Sequence, residues 1–215
     1  MDDHEKVYAK LQLPIIMALT GRAGHGKDTV ADYLVEKHNF KKMSFAAPLK
    51  EAASSLFCIP METMEDRVKK EQIDKRWGKS PRTLLQLMGT EFLRKEMGED
   101  FLVARMKTEL FKRIQNSERI VISDCRFDNE ADFIKNACKF VRHLDQFGNI
   151  TRSFQPITIN VWEIDASARL CDSILNAANA THASEKGIKR RYITKTIENN
   201  QSVEDLYNHI DSLLA

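Results

Sequence analysis

The stretch GRAGHGKD, Gly21 to Asp28, concentrates three glycines and one lysine within eight residues. Gly21, a four-residue spacer, Gly26 and Lys27 fit G-x-x-x-x-G-K-[ST], a pattern whose backbone N–H groups cradle a polyphosphate. Gly21, Gly24 and Gly26 allow conformations and close approaches that a β-carbon would block. Lys27 is then placed to reach the β- and γ-phosphates. The last position of the pattern wants a hydroxyl, and this chain has Asp28 there with Thr29 next. A carboxylate beside polyphosphate alone is repulsive, but a divalent cation between them reverses the sign. Asp28 therefore reads as a magnesium ligand, direct or through water, with Thr29 offering its hydroxyl to a phosphate. The alternative for Asp28 is a first-turn carboxylate favoured by the helix dipole.

A second group lies in IVISDCRF. Asp124 and Arg126, spaced i, i+2 at the end of a strand, can point the same way. Strand ends in parallel sheets face the ligand crevice. Asp124 suits the ordering of magnesium and its waters, and Arg126 suits phosphoryl oxygens. A turn-forming Asp and a surface ion pair are the plainer alternatives. A third group, Arg82, Gln86, Thr90 and Arg94, recurs every four residues and forms a slowly drifting polar stripe along a helix. Two guanidiniums and an amide on one face can hold a phosphate and a base. A solvated face is the competing reading, with Leu84, Leu87, Met88 and Phe92 packing on other sides.

These groups need a scaffold that delivers them to one edge. LPIIMALTG reads as a buried strand running into the glycine loop, and KDTVADYLVEKHN as the helix behind it, with Val30, Leu34 and Val35 on its apolar face. FKKMSFA is a strand and PLKEAASSLF a helix with Pro48 in its first turn. A polar connection runs from Met61 to Ser80, and Ser80-Pro81 starts a helical pattern that reaches Gln115 with a break near Gly98. RIVISD is a strand and NEADFIKNA its helix. KFVRHL and ITINVWEI are further strands about a DQFGN turn, Asp165 to Ala180 is helical, and RRYITKTIE is a late strand. SVEDLYNHIDSLL closes as an amphipathic helix capped by Ser202. Strands alternating with helices predict an α/β fold, a parallel sheet with helices on both faces.

Composition narrows the function further. The 215 residues carry 42% hydrophobic and 30% charged side chains, ordinary for a globular chain, and a net charge of +2 gives no footing for nucleic acid. Four scattered cysteines without a C-x-x-C pair suggest reduced thiols, not a metal or disulfide framework. The acidic N-terminus and short apolar runs predict a soluble, cytoplasmic protein without a membrane span. A GTPase would carry N-K-x-D, and no asparagine here begins that motif. D-x-x-G occurs at Asp145 but reads as a turn.

GRAGHGKDTVADYL, SFAAPLKEA, RWGKSPRTLLQLMGTEFLR, SDCRFDNEA and THASE, in that order, resemble the deoxynucleoside monophosphate kinase family of phages and bacteria. The resemblance covers most of the chain and includes the GKDT form of the loop. It implies a P-loop kinase fold over residues 1–215, with a helical acceptor-binding insertion at 61–115 and a lid or insertion at 139–185. It implies transfer of the γ-phosphate of ATP to a (deoxy)nucleoside monophosphate, giving the diphosphate and ADP, with magnesium as the cofactor. A homodimer is left open, and a viral chain would work in its host's cytoplasm. Lys50, Arg82, Gln86 and Arg94 match acceptor-side motifs, and Asp124 and Arg126 the motif after the core strand. Lid arginines are Arg142, Arg152 or Arg169, while Asn199 and Asn200 fall where related kinases approach adenine. His182 to Glu185 matches a family segment without a derived role. Cys125 and Asp128 replace the usual Val and Pro. A phosphomevalonate-kinase-like enzyme and an ATP-binding regulator are the alternatives.

Overall fold

The computed structural model describes residues 15–137, 143–144, 150–151, 157–169 and 186–214. Five parallel strands form the main sheet in the order β2-β3-β1-β6-β7. They are β1 (Ile15–Thr20), β2 (Phe40–Met43), β3 (Arg119–Ile122), β6 (Thr158–Asp165) and β7 (Lys195–Glu198). β1 lies at the centre, with Met17 beside Val121 of β3 and Asn160 of β6. Its residues from Ile16 to Thr20 are all buried, as befits a strand covered on both faces.

The two faces have separate cores. Met17, Leu19, Val121, Trp162 and Ile164 pack with Val30, Ala31 and Leu34 of helix α1 (Lys27–His38) and with Leu206 and Ile210 of the last helix, α7 (Val203–Leu214). The alternate residues Ile16, Ala18, Ile120 and Ile122 are equally buried. Helix α6 (Asp128–Lys135) contacts β1 and β6 and buries Ala131 and Ile134. Val35, expected on the apolar face of α1, is instead 38% exposed. A helix edge shared with Leu34 turns it past the stripe that the sheet covers.

The chain divides into two compact units, residues 1–43 with 108–215, and residues 44–107. The second holds α2 (Ala47–Phe57), α3 (Met61–Glu65), a 3₁₀ turn at Lys69–Glu71 and α4 (Pro81–Gln86), continued by a π-helix at Leu87–Arg94. It also contains the start of α5 (Phe101–Gln115). Ala53, Ile59, Met64 and Leu84 form its core. The polar connection from Met61 to Ser80 carries α3 and the 3₁₀ turn, both too short to show a periodic pattern. Ser80 caps α4 through its hydroxyl, which accepts the Thr83 N–H at 3.2 Å.

Other expectations fare unevenly. In RRYITKTIE only Lys195–Glu198 is strand, and Arg190–Tyr192 is a 3₁₀ turn. A small antiparallel pair, β4 (His143–Leu144) and β5 (Ile150–Thr151), stands apart from the main sheet. The DQFGN turn, most of the helix expected from Asp165 to Ala180, Arg142, Arg152 and His182 to Glu185 lie outside the described residues. Among the described residues no helix is long and apolar enough to cross a membrane.

Candidate active site

The glycine loop leaves the C-terminal end of β1 and enters α1. Gly21 has φ +129°, and a β-carbon there would strike the carbonyl of Ile164 at the end of β6. Gly26 has φ +98°, and its β-carbon would strike the side-chain amide of Asn199. Both positions combine a backbone region that L side chains rarely adopt with a wall directly behind. Gly24 is likewise at positive φ, +83°. No side chain caps α1. Its first-turn N–H groups therefore form the donor cluster that anions use at helix N-termini.

The ends of β6 and β7 clamp the loop from beneath. Asn199, 4% exposed, donates its amide to the His25 carbonyl at 2.9 Å, and its backbone N–H reaches the Asp165 carbonyl. The His25 ring is buried, with Nδ1 3.1 Å from the Ala166 nitrogen and 3.2 Å from the Ile164 oxygen. One tautomer accepts from Ala166 and the other donates to Ile164, so either ties the loop to the exit of β6. Burial pushes the His25 pKa down, which disfavours the charged ring. Asn199, expected near adenine, thus spends its Nδ2 on the loop backbone, while its buried Oδ1 has no hydrogen-bond partner among the described residues.

Lys27 is 7% exposed, and its ammonium donates to the carbonyls of Gly21 and Arg22, both at 2.7 Å. The charge is therefore held across the mouth of the loop. Thr29 is half-buried, whereas Asp28 is exposed with its carboxylate 3.5 Å from Lys42 Nζ. Lys42 also pairs with Asp32 at 2.8 Å.

The chain leaving β3 is fastened to both neighbours. Ser123 N–H donates to Met43 of β2, and Cys125 N–H to Leu19 of β1, two residues before the loop. Ser123 and Cys125 are buried, while Asp124 and Arg126 between and after them stay half-exposed. Burial, with Glu130, Asp124 and Asp128 nearby, pushes the Cys125 thiol well up, so it fills space where the family has valine. Glu130 was not foreseen as part of this site. Its buried carboxylate accepts the Arg126 N–H at 2.8 Å and the Phe127 N–H at 3.1 Å, fixing the turn that carries Arg126. The signal was the three-residue spacing from Phe127 to Glu130, half of a capping box. Asp128, in place of the family's proline, accepts the Lys189 N–H at 2.9 Å and pairs with Lys189 Nζ at 2.8 Å.

Lys50, Arg82, Gln86 and Arg94 belong to the second unit, on α2, α4 and the π-helix, which touch one another. Lys50 lies 3.8 Å from Glu65, and Arg82 Nε meets Glu71 at 2.5 Å. Arg94 is 8% exposed and donates to the Glu99 carbonyl. Gln86 has a buried Nε2 without a hydrogen-bond partner among the described residues. Leu87 and Phe92, expected to pack, are 40% and 57% exposed. Arg94 is thus buried and Arg82 and Gln86 half-buried, while Leu87 and Phe92 face outward and Leu84 and Met88 pack with the core of the unit. Arg169, the one lid candidate within the described residues, sits in the turn after β6 with its N–H donating to Ala166.

A parallel sheet with a glycine loop between its central strand and a helix, and an Asp-x-Arg turn at the next strand, defines the P-loop kinase class. A crystal structure of a provisionally named kinase from Chloroflexus aurantiacus shares the fold, with a TM-score of 0.50 at 14% identity over 94% of this chain and 97% of that one. No family model matches the sequence. A protein of Acanthamoeba polyphaga mimivirus, provisionally named deoxynucleotide monophosphate kinase, is 33% identical over 163 residues, 70% of this chain and 83% of its own. Deoxynucleoside-5'-monophosphate kinase of Escherichia phage T5 is 24% identical, with 93% of this chain and 97% of that protein covered. The chain belongs to the deoxynucleotide monophosphate kinase family. This places it among phosphotransferases and favours a nucleotide acceptor over phosphomevalonate.

Proposed function

We propose that the protein transfers the γ-phosphate of ATP to a deoxynucleoside monophosphate in the cytoplasm, without nucleic acid or membrane partners. Phosphoryl transfer leaves a protein little covalent work, so positioning and electrostatics carry the rate. Loop N–H groups and Lys27 hold the donor's phosphates. Lys27 exchanges two carbonyl contacts for phosphate oxygens as ATP enters. Arg126, its backbone held by Glu130, bears on the transferred group. Lys50, Arg82, Gln86 and Arg94 hold the acceptor.

Magnesium fits this arrangement. The ion takes one or two protein carboxylates and completes its shell with phosphate oxygens and water. Asp28 in the first turn of α1 and Asp124 at the exit of β3 supply two such carboxylates near the loop. When bound, the ion would neutralise charge on the phosphate oxygens. Lys42 competes for Asp28 and must yield part of that contact.

The observation that carries the acceptor side is the inward stripe. A solvated face would expose Arg82 and Arg94, yet Arg82 is 16% exposed at its side chain and Arg94 is buried. The test is ADP release from ATP with each deoxynucleoside monophosphate offered singly. Release with one or more of them supports the reading, and release with none of them overturns it.

A further inference from the structure

A loop that aims its N–H groups at a ligand must turn its carbonyls the other way, and each of those needs a donor behind it. In the glycine loop the carbonyls of Gly21 and Arg22 take the Lys27 ammonium, both at 2.7 Å. The Gly26 carbonyl takes the Val30 N–H at 3.0 Å, within the first turn of α1. The His25 carbonyl takes the side-chain amide of Asn199 at 2.9 Å. These donors differ in one respect. Lys27 is the group that exchanges its carbonyls for phosphate as ATP enters, so its hold on the loop is given up on loading. The hold of Asn199 is kept.

His25 is pinned twice. Its carbonyl is held from the exit of β7 through Asn199. Its ring is held from the exit of β6, where Nδ1 lies 3.1 Å from the Ala166 nitrogen and 3.2 Å from the Ile164 oxygen. The two exits are themselves joined, because the Asn199 N–H donates to the Asp165 carbonyl at 2.6 Å. The Asp165 carboxylate accepts the N–H and the hydroxyl of Ser167, which fixes the turn that presents Ala166. Asn199 and His25 are 4% and 7% exposed, so water hardly competes for either contact. The fit is close from the loop side as well, since a β-carbon at Gly26 would strike the Asn199 amide.

We propose that His25 and Asn199 are positioning residues for the donor nucleotide, keeping the loop N–H groups aimed at the phosphates once Lys27 has left the Gly21 and Arg22 carbonyls. This inference rests on the donor role proposed for the loop and Lys27. Free and loaded protein then depend on the pair unequally. In the free protein Lys27 and the pair hold the same short segment, so loss of the pair leaves Lys27 in place. In the loaded protein Lys27 is engaged elsewhere, and without the pair the phosphates themselves must hold the loop in shape. That ordering cost is subtracted from their binding. Asn199 acts here through the loop, so the loss is the same whether or not the ligand carries a base.

The experiment titrates ATP and, separately, inorganic tripolyphosphate, both with magnesium, into wild type, Asn199→Ala, His25→Ala and His25→Asn by calorimetry. Melting temperature and KM for the monophosphate are measured alongside. Tripolyphosphate offers the phosphates without the base. Asn199→Ala and His25→Ala are each expected to weaken both ligands about five-fold, the scale of one hydrogen bond, and to leave KM for the monophosphate within a factor of about two. His25→Asn keeps a polar group close to the position of Nδ1 and should recover most of the loss. Weaker ATP binding with unchanged tripolyphosphate binding in Asn199→Ala would set that side chain against the base and overturn the proposal. Wild-type affinity for both ligands in folded variants, with only a lower melting temperature, would make the pair purely structural and overturn it too. Should Asn199→Ala not fold, the two His25 variants still decide, because both ties meet in His25. Wild-type protein that binds neither ligand refutes the donor-site reading itself, a result visible before any variant is made.

Discussion

The phosphate loop and the polar stripe are proposed to solve the same problem, holding charge for a ligand, by opposite means. The loop uses backbone. Gly21 and Gly26 sit against Ile164 and Asn199, and the N–H groups that would meet phosphate come from main chain held by β1, β6 and α1. The stripe uses side chains, with Arg82 and Gln86 half-buried and Arg94 buried beside exposed Leu87 and Phe92. Backbone donors are the same whatever residue carries them, so a loop of this kind recognises phosphate in general. Side-chain donors vary with the sequence, so a stripe of this kind can select one acceptor from many.

The largest effect should come from the residues proposed to bear on the transferred group. Lys27→Ala and Arg126→Ala are each expected to lower kcat by about 10²-fold or more. Turnover close to wild type in a folded Arg126→Ala protein would remove that residue from the chemistry.

Next in size is the split between the two substrates. Arg82→Ala removes a guanidinium from the stripe and should raise KM for the monophosphate about ten-fold or more, the scale of a charged hydrogen bond. KM for ATP should stay within a factor of about two, since uniform loss of one binding interaction shows only in the substrate concerned. Movement of the ATP value instead would place the stripe on the donor side and dissolve the contrast between loop and stripe.

The contrast also explains what could be read from sequence. Strand, glycines, lysine and helix are contiguous, so the loop was legible from Ala18 to Leu34 and the sheet from apolar runs. Polar residues at four-residue spacing showed the stripe as well. Its orientation was not legible, because α-helical winding was assumed and Leu87 and Phe92 look like core residues by type. Nor could local pattern reveal that Asn199 and Ile164 lie behind the loop, since their contacts cross more than a hundred residues. Glu130 was visible only as half a motif, and α3 was too short to announce itself.

A smaller effect concerns the carboxylate of the loop. Asp28→Asn keeps the shape and removes a charge that a cation would use. The magnesium concentration for half-maximal rate should rise about three-fold or more, while ATP binding without metal becomes easier. Asp28 is exposed and its contact with Lys42 is worth little, so stability should hardly move. A lower melting temperature with unchanged magnesium dependence would make Asp28 only a helix-start residue.

The smallest effect qualifies the contrast, because the first unit also relies on a side-chain tie. Asp128 opens α6 two residues after Arg126 and holds Lys189 by backbone and side chain. Desolvation draws its pKa upward, but the hydrogen bonds and charge of Lys189 outweigh this and hold the carboxyl below its ordinary value. A depressed folded pKa contributes stability above the unfolded value of about 3.9, and that contribution fades as pH falls through the folded pKa. Asp128→Asn retains an acceptor for the Lys189 N–H and loses the ion pair. Such partly exposed pairs contribute under about 1 kcal/mol, so the melting temperature at pH 7 should fall by no more than about 4 °C. Below about pH 4 the carboxyl of the original protein is increasingly protonated, and the two melting curves should converge. Thermal melts of both proteins across that range measure the difference directly. A gap that persists undiminished at low pH would assign the loss to amide packing, and the tie beside Arg126 would then owe nothing to charge.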